Sequence, residues 1–168
     1  LAALDAGTGF ATAWNPDVNG RVWEITKSGS TIYIGGEFTQ VGGQLRNRIA
    51  AIDTISGSTT SWNPNSNGNV YAIAVSGSIV YVGGGFSTIG GQTRYDLEAI
   101  YVSTGNSNVW NPNVSGSWVT SILVNGSTVF IGGDFSSVGG QSRNALAAID
   151  PTTGTVLSWN PSLNSWSS

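Results

Sequence analysis

The stretch that decides the fold is Ile49 to Asp96, IAAIDTISGSTTSWNPNSNGNVYAIAVSGSIVYVGGGFSTIGGQTRYD. It holds short runs of β-branched and aromatic residues, each closed by glycine, by Asn-Pro or by a Ser/Thr-Gly turn, and most of it recurs on either side. Trp14, Trp62 and Trp110 are 48 residues apart, and Trp159 follows after 49. The pairs Gly35-Gly36, Gly83-Gly84 and Gly132-Gly133 keep the same step, as do Phe38, Phe86 and Phe135, and the arginines Arg46, Arg94 and Arg143. The additional residue of the third interval falls near Ser117-Trp118. Self-similarity at a fixed period of this length marks a repeat architecture. The units run 1–48, 49–96 and 97–145, with a partial copy at 146–168, in a single repeat region spanning 1–168.

The central unit predicts four strands. Val70–Val75 is the first, closed by Ser76-Gly77; Ile79–Val82 is the second, ending on Gly83-Gly84. A longer loop containing Gly90-Gly91-Gln92 leads to the third, Leu97–Tyr101, and after Thr104-Gly105 the fourth runs to Trp110 and stops at Asn111-Pro112. Proline cannot donate to a ladder and restrains the residue before it, so the Asn-Pro pairs end strands. The paired glycines allow either a positive φ or a backbone approach that a Cβ would block.

Four antiparallel strands in 48 residues is the content of one propeller blade, and a blade has two apolar faces that only neighbouring blades can cover. The expected fold is all-β, a β-propeller of four-stranded antiparallel blades. The sequence opens on a third strand, Leu1–Asp5, so it holds three copies of the first two strands and four of the last two. It reads as a partial propeller or as part of a larger ring or array. Terminal strand edges template pairing, either with the rest of a longer polypeptide or with another copy in a ring or fibre.

The arrangement VYVGGGF, GGQTR, LxAI, TG and W resembles the kelch-type propeller unit, with its double glycine after the second strand and its tryptophan on the fourth. It is closer still to the secreted bacterial delta-60-type propeller repeats, whose units read LAAID, TTG, SWNP, GGxF and GGQxR. The resemblance covers the whole chain. It implies a secreted propeller and carries no activity with it.

Composition narrows the function classes. Charged residues are only 9% of the chain, against roughly a quarter in an average soluble protein, and 24 glycines with abundant Ser, Thr and Asn take their place. A net charge of −3 with six basic residues offers no phosphate-neutralising patch, so nucleic acid is not an expected partner. Cys, His and Met are all absent, which removes disulfides, thiolate or imidazole metal sites and every nucleophilic triad that needs a His or Cys. No apolar run reaches the roughly 18 residues of a membrane span. Low charge and absent Cys fit a secreted or cell-surface location, as do the sequons at Asn113 and Asn125, which are candidate glycosylation sites.

Most polar repeat positions read as structural. Asp5, Asp53 and Asp150 precede the TG-type turn, where a short carboxylate accepts backbone N–H groups. The repeated arginines offer a planar donor fork to backbone carbonyls, with an anion-binding ring as the sharper reading. Trp14, Trp62, Trp110 and Trp159 read as packing residues of the fourth strand. The residues that break the period are the binding candidates: Trp23 and Trp118, with Trp166, as sugar-stacking or interface aromatics, and the acids Glu37 and Asp134 beside them. Glu24, Glu98, Asp17 and Asp96 each occur once and read as solvated loop acids.

The expected function is a non-enzymatic extracellular or cell-surface structural or interaction module, a candidate subunit of a self-assembling structure or filament. The alternative is a carbohydrate-binding propeller using Trp23 and Trp118. An enzyme of glycosidase or lyase type, with a carboxylate pair drawn from Glu37, Asp134 and Glu24, is the least favoured. No catalytic residue, metal or cofactor is assigned. The expected partners are the chain itself or further blades through the terminal strands, together with glycans or other surface proteins.

Overall fold

The computed structural model describes residues 1–161 and, among them, contains only strands, turns and irregular segments. The first blade is formed by β1 (Arg21–Ser28), β2 (Thr31–Glu37) and β5 (Ile49–Asp53), with the short hairpin β3 (Gln40–Val41) and β4 (Gln44–Leu45) between β2 and β5. The second repeats it with β6 (Asn69–Ser76), β7 (Ile79–Gly85), the hairpin β8 (Thr88–Ile89) and β9 (Gln92–Thr93), and β10 (Leu97–Tyr101). The third uses β11 (Val114–Asn125), β12 (Thr128–Val138), β13 (Gln141–Ser142) and β14 (Leu146–Ile149). All pairings are antiparallel, and the second strand of each blade lies between the first and the third.

Two expectations are corrected. The Gly-Gly-Gln segment is not an open loop: Gly42 and Gly43 have φ of 58° and 73°, so the two glycines turn a hairpin that pairs Val41 with Gln44. Two consecutive positive-φ residues are what a two-residue hairpin turn of the twist-matching kind demands. The fourth strand is reduced to one bridge per blade, Ile52 to Thr59, Ile100 to Ser107 and Ile149 to Val156, because Asn-Pro ends the extended run a few residues later. The opening segment shows the same bridge, Leu4 to Ala11.

Period-2 alternation sends successive side chains of each strand to opposite blade faces. On β2, Ile34 joins Phe38, Val41, Ala50 and Ile52 in a core that also takes in Trp14, Val18 and Val22, while its neighbour Tyr33 faces the second blade. There Tyr33, Ile49 and Ala51 pack with Val70, Ile73, Val80 and Val82. On β7 and β10 the alternation repeats, and Tyr81, Leu97 and Ala99 pack onto Val119, Val129 and Ile131 of the third blade. The cores therefore lie between blades: the first and second blades each contribute to two of them, and the third contributes to one.

Close approach explains both glycines of the first two pairs and the second glycine of the third. A Cβ on Gly35 would lie 2.5 Å from Val70 Cγ1, and one on Gly83 would lie 2.8 Å from Val119 Cγ1, both on the first strand of the next blade. The second glycine faces its own blade: Cβ atoms on Gly36, Gly84 and Gly133 would collide with the carbonyls of Arg21, Asn69 and Trp118. Those carbonyls crowd in because each first strand carries a bulge, between Val22 and Glu24, Val70 and Ala72, and Val119 and Ser121. In the first two pairs one glycine serves the blade interface and the other serves the bulge.

Candidate ligand-binding rim

The bulges place Trp23, Tyr71 and Thr120 at one register, each as the extra residue of its first strand. Released from the ladder, Trp23 stacks on Tyr71 of the next blade, with ring centroids 5.1 Å apart and planes at 28°. The pair joins two blades and leaves 39% of Trp23 exposed. Just before each bulge, Arg21 lies opposite Glu37, Asn69 opposite Gly85 and Trp118 opposite Asp134. The third interval also bulges between Gly116 and Trp118, so the additional residue is Ser117. Trp118 is consequently pushed out and is 43% exposed.

Glu37 and Asp134 share a register on the first and third blades, with Gly85 at that register between them. Glu37 makes an exposed 3.6 Å ion pair with Arg21 and shares a recess with Asn19, Thr39 and Arg48. Asp134 lines a different groove, on the third blade. The two acids are thus held in separate recesses, and among the described residues no group of acids gathers as a metal-ligand cluster. Glu24 is half-buried and accepts a hydrogen bond from Thr26, whose hydroxyl also donates to the Ile73 carbonyl.

The arginines spend their donors on the fold. Arg46 Nη1 donates to the Leu45 carbonyl, and Nη2 to Gln44 Oε1 and to the Thr60 carbonyl at 2.6 Å. Arg143 repeats the set with Ser142, Gln141 and Leu157. Arg94 reaches the carbonyls of Thr93 and Asn108. Each guanidinium fastens the Gly-Gly-Gln hairpin to the fourth segment.

Glu98 overturns the reading of the solitary acids as solvated. It lies fully buried on β10, where the other blades have Ala50 and Ala147, and its Oε2 is 2.8 Å from Arg94 Nε. Burial, opposed by the Ala99 amide and the Arg94 guanidinium, pushes its carboxyl up to about 7. Asp96 is also buried, and desolvation raises it to about 6 against a hydrogen bond involving the backbone of Phe86. The Nε atoms of Arg46, Arg94 and Arg143 are all buried without a hydrogen bond, and of the three only that of Arg94 lies within ion-pair distance of a carboxylate. Asp17, by contrast, is exposed and takes a φ of 48°, as Asn65 and Asn113 do at the same register. Short polar side chains tolerate that left-handed conformation best.

Asp5, Asp53 and Asp150 close their turns alike. Asp53 Oδ1 accepts from the Ile55 and Ser56 amides and from the Ser56 hydroxyl, and the equivalent bonds at Asp5 and Asp150 come from Thr8 with Gly7 and from Thr153 with Thr152. These bonds hold all three carboxyls below the usual range. The repeated tryptophans clasp successive blades: the indole N–H groups of Trp14, Trp62 and Trp110 donate to the carbonyls of Asp53, Tyr101 and Asp150, one blade on. Trp62 and Trp110 also meet Tyr33 and Tyr81 edge-to-face. Asn113 and Asn125 are both exposed. Trp166 lies outside the described residues.

Tyr71, Gly85 and Ser117 were not singled out as site residues from sequence. The signal was present in part, since each departs from what the other units carry at its register. A family model described as "Domain of unknown function (DUF5122) beta-propeller" matches residues 31–59 and 125–156. Those are equivalent stretches of the first and third blades, running from the second strand to the fourth-strand bridge. No curated protein matches the chain.

Proposed function

We propose that this β-propeller repeat protein is a non-enzymatic interaction module of an extracellular or cell-surface setting, acting through association of its blades with further blades of the same kind. The observation that carries the reading is the face of the third blade around Gly132. A groove of about 520 Å³ opens there, lined by Trp118, Ile122, Leu123, Phe130, Gly132 and Leu146. Phe130, Gly132 and Leu146 hold the positions at which the second blade has Tyr81, Gly83 and Leu97, which lie against the third blade. Among the described residues, a Cβ on Gly132 would meet only Leu146, Ser121 and Ala145 of its own blade, and none of them fills the space that Gly35 and Gly83 yield to a neighbouring strand.

The occupant that fits is the first-strand and second-strand hairpin of another blade of this repeat, bringing a valine equivalent to Val70 or Val119 against Gly132. Exposed apolar grooves of this kind mark interaction surfaces. The weakly charged, Ser/Thr/Asn-rich composition supports the extracellular setting. The test is light scattering across a concentration series together with binding of a peptide spanning residues 66–86. Concentration-dependent association and peptide capture, both lost in Gly132→Val, are expected. A monomer at every concentration that ignores the peptide would remove the proposal.

A further inference from the structure

Three departures from the repeat meet at one corner between the second and third blades. Where the first blade hands over to the second, Asn47 Nδ2 donates to Asn65 Oδ1 at 2.6 Å and Arg48 Nη1 donates to the Ser66 carbonyl at 3.3 Å. Asn67 then ties its own blade, its Oδ1 accepting from the Ser87 and Thr88 amides and its Nδ2 donating to the Ser87 hydroxyl. One repeat further on, Tyr95 stands for Asn47, Asp96 for Arg48 and Ser115 for Asn67. The backbone does not change with them. Asp96 keeps the left-handed φ of Arg48, 62° against 63°, and its amide and carbonyl make the same bonds, to the Phe86 carbonyl and from the Gly84 amide. With these side chains exchanged, the corner holds a recess of about 430 Å³ bordered by Tyr95, Asp96, Asn113, Ser115, Ser137 and Gly140.

The recess carries charge of one sign. Asp96 is only 7% exposed, and neither ion pair among the described residues includes it. Desolvation pushes its carboxyl up to about 6, opposed only by the backbone of Phe86. A buried carboxylate is costly without a cation beside it, and no Lys or Arg lines the recess. At the same register of the first blade, Arg48 sends a cation across to the next blade; Asp96 offers an acceptor in its place. An anion would be repelled, and a neutral ligand would leave the charge uncompensated. A metal ion finds no group of three acids to hold it among the described residues. The match is a cation with N–H donors, for which Asp96 gives a charge-assisted bond, Asn113, Ser115 and Ser137 offer side-chain oxygens, and Tyr95 adds an aromatic border.

We propose that the recess at Asp96 binds an organic cation bearing N–H donors, a guanidinium or primary ammonium group, with Asp96 as its counter-ion. The ligand brings from solution the cation that this corner lacks. The recess shares no lining residue with the groove at Gly132, so either reading can fail alone.

The test is calorimetric titration of the intact chain at about pH 7.5, above the Asp96 value of about 6, while NMR follows the amides of Ser115, Gly116 and Gly140. The probes are ethylguanidinium, agmatine and n-butylammonium, with tetramethylammonium, calcium and acetate as controls. At least one probe is expected to saturate below about 10 mM and to shift those amides, and every control to bind at least about tenfold more weakly. Asp96→Asn removes the charge and keeps the shape, and Ser115→Asn restores the side chain that the second blade has at Asn67; each should weaken binding at least about tenfold. Glu37→Gln, at an exposed acid outside the recess, should leave affinity unchanged. Melting curves separate lost binding from lost folding, and if Asp96→Asn does not fold, Ser115→Asn decides alone. The proposal is overturned by the absence of saturable binding up to about 10 mM, by tetramethylammonium or calcium binding as tightly as the probes, or by affinity unchanged in a folded Asp96→Asn.

Discussion

The face that the second blade turns toward the third and the face of the third blade that no described residue of a further blade covers are built from nearly the same residues. The covered one has Tyr81, Gly83, Leu97, Ala99 and Trp110; the open one has Phe130, Gly132, Leu146, Ala148 and Trp159. Yet Trp110 is 2% exposed with its indole N–H bonded one blade on, while Trp159 is 45% exposed. Both rings meet their own blade's aromatic residue edge-to-face at nearly the same distance, 5.2 Å for Tyr81 and 5.3 Å for Phe130. A blade therefore assembles its half of an interface without its neighbour. What the neighbour adds is burial, one hydrogen bond and the steric demand for glycine.

The largest effect expected from that comparison is at the tryptophans. Trp110→Ala should cost about 3–5 kcal/mol in denaturant unfolding, the usual range for a buried large aromatic, and Trp159→Ala under about 1 kcal/mol. Equal costs would mean that the intrablade aromatic contact, and not the clasp, carries the energy. Next come the glycines. Gly83→Ala and Gly35→Ala force a methyl into Val119 and Val70 and should cost about 1–3 kcal/mol each, whereas Gly132→Ala should stay within about 0.5 kcal/mol. A severe Gly132→Ala would show that this glycine serves its own blade.

The smallest effect is a pH slope that belongs to the second blade alone. Glu98 and Asp96 have folded values of about 7 and about 6, both above their unfolded values of 4.5 and 3.8. The unfolded chain therefore releases these protons first, and stability falls as pH rises through the interval from about 4 to about 7. The exposed turn acids act in the opposite sense only at lower pH, since their values are depressed below 3.8. Melting temperatures measured from pH 4.5 to 7.5 should decline, and Glu98→Gln should flatten the decline. A slope unchanged in Glu98→Gln would place its origin elsewhere.

Much of this architecture was legible in the amino-acid order. The third strand of the second blade runs from Leu97 to Tyr101, as its β-branched and aromatic run between turn signals predicts, and the second extends from Ile79 through the glycines to Gly85. The Gly-Gly-Gln hairpin was missed although a Gly-Gly pair is itself a hairpin signal, because only two residues pair on each side and the flanking pattern is too short to alternate. Glu98 was missed for another reason. A lone acid reads as surface, and only its register with Ala50 and Ala147 marks the position as packed; the Arg94 partner is visible only when the strand is placed.

The binding candidates divided in the same way. Departure from the period picked out Trp23, Trp118, Glu37 and Asp134 one by one. Which of them meet depends on bulges and on blade stacking: Trp23 found Tyr71, Trp118 came beside Gly85, and the two acids went to separate recesses. The repeat, its strands, its turns and the glycine beside each bulge were determined by the sequence itself, since each depends on residues close along the chain or in the same hairpin. Tertiary structure alone decided which glycine faces a neighbour, which tryptophan is clasped and where three departures converge. Those outcomes rest on contacts between residues about one blade apart, and the same residue type is indispensable or idle according to whether the next strand lies against it.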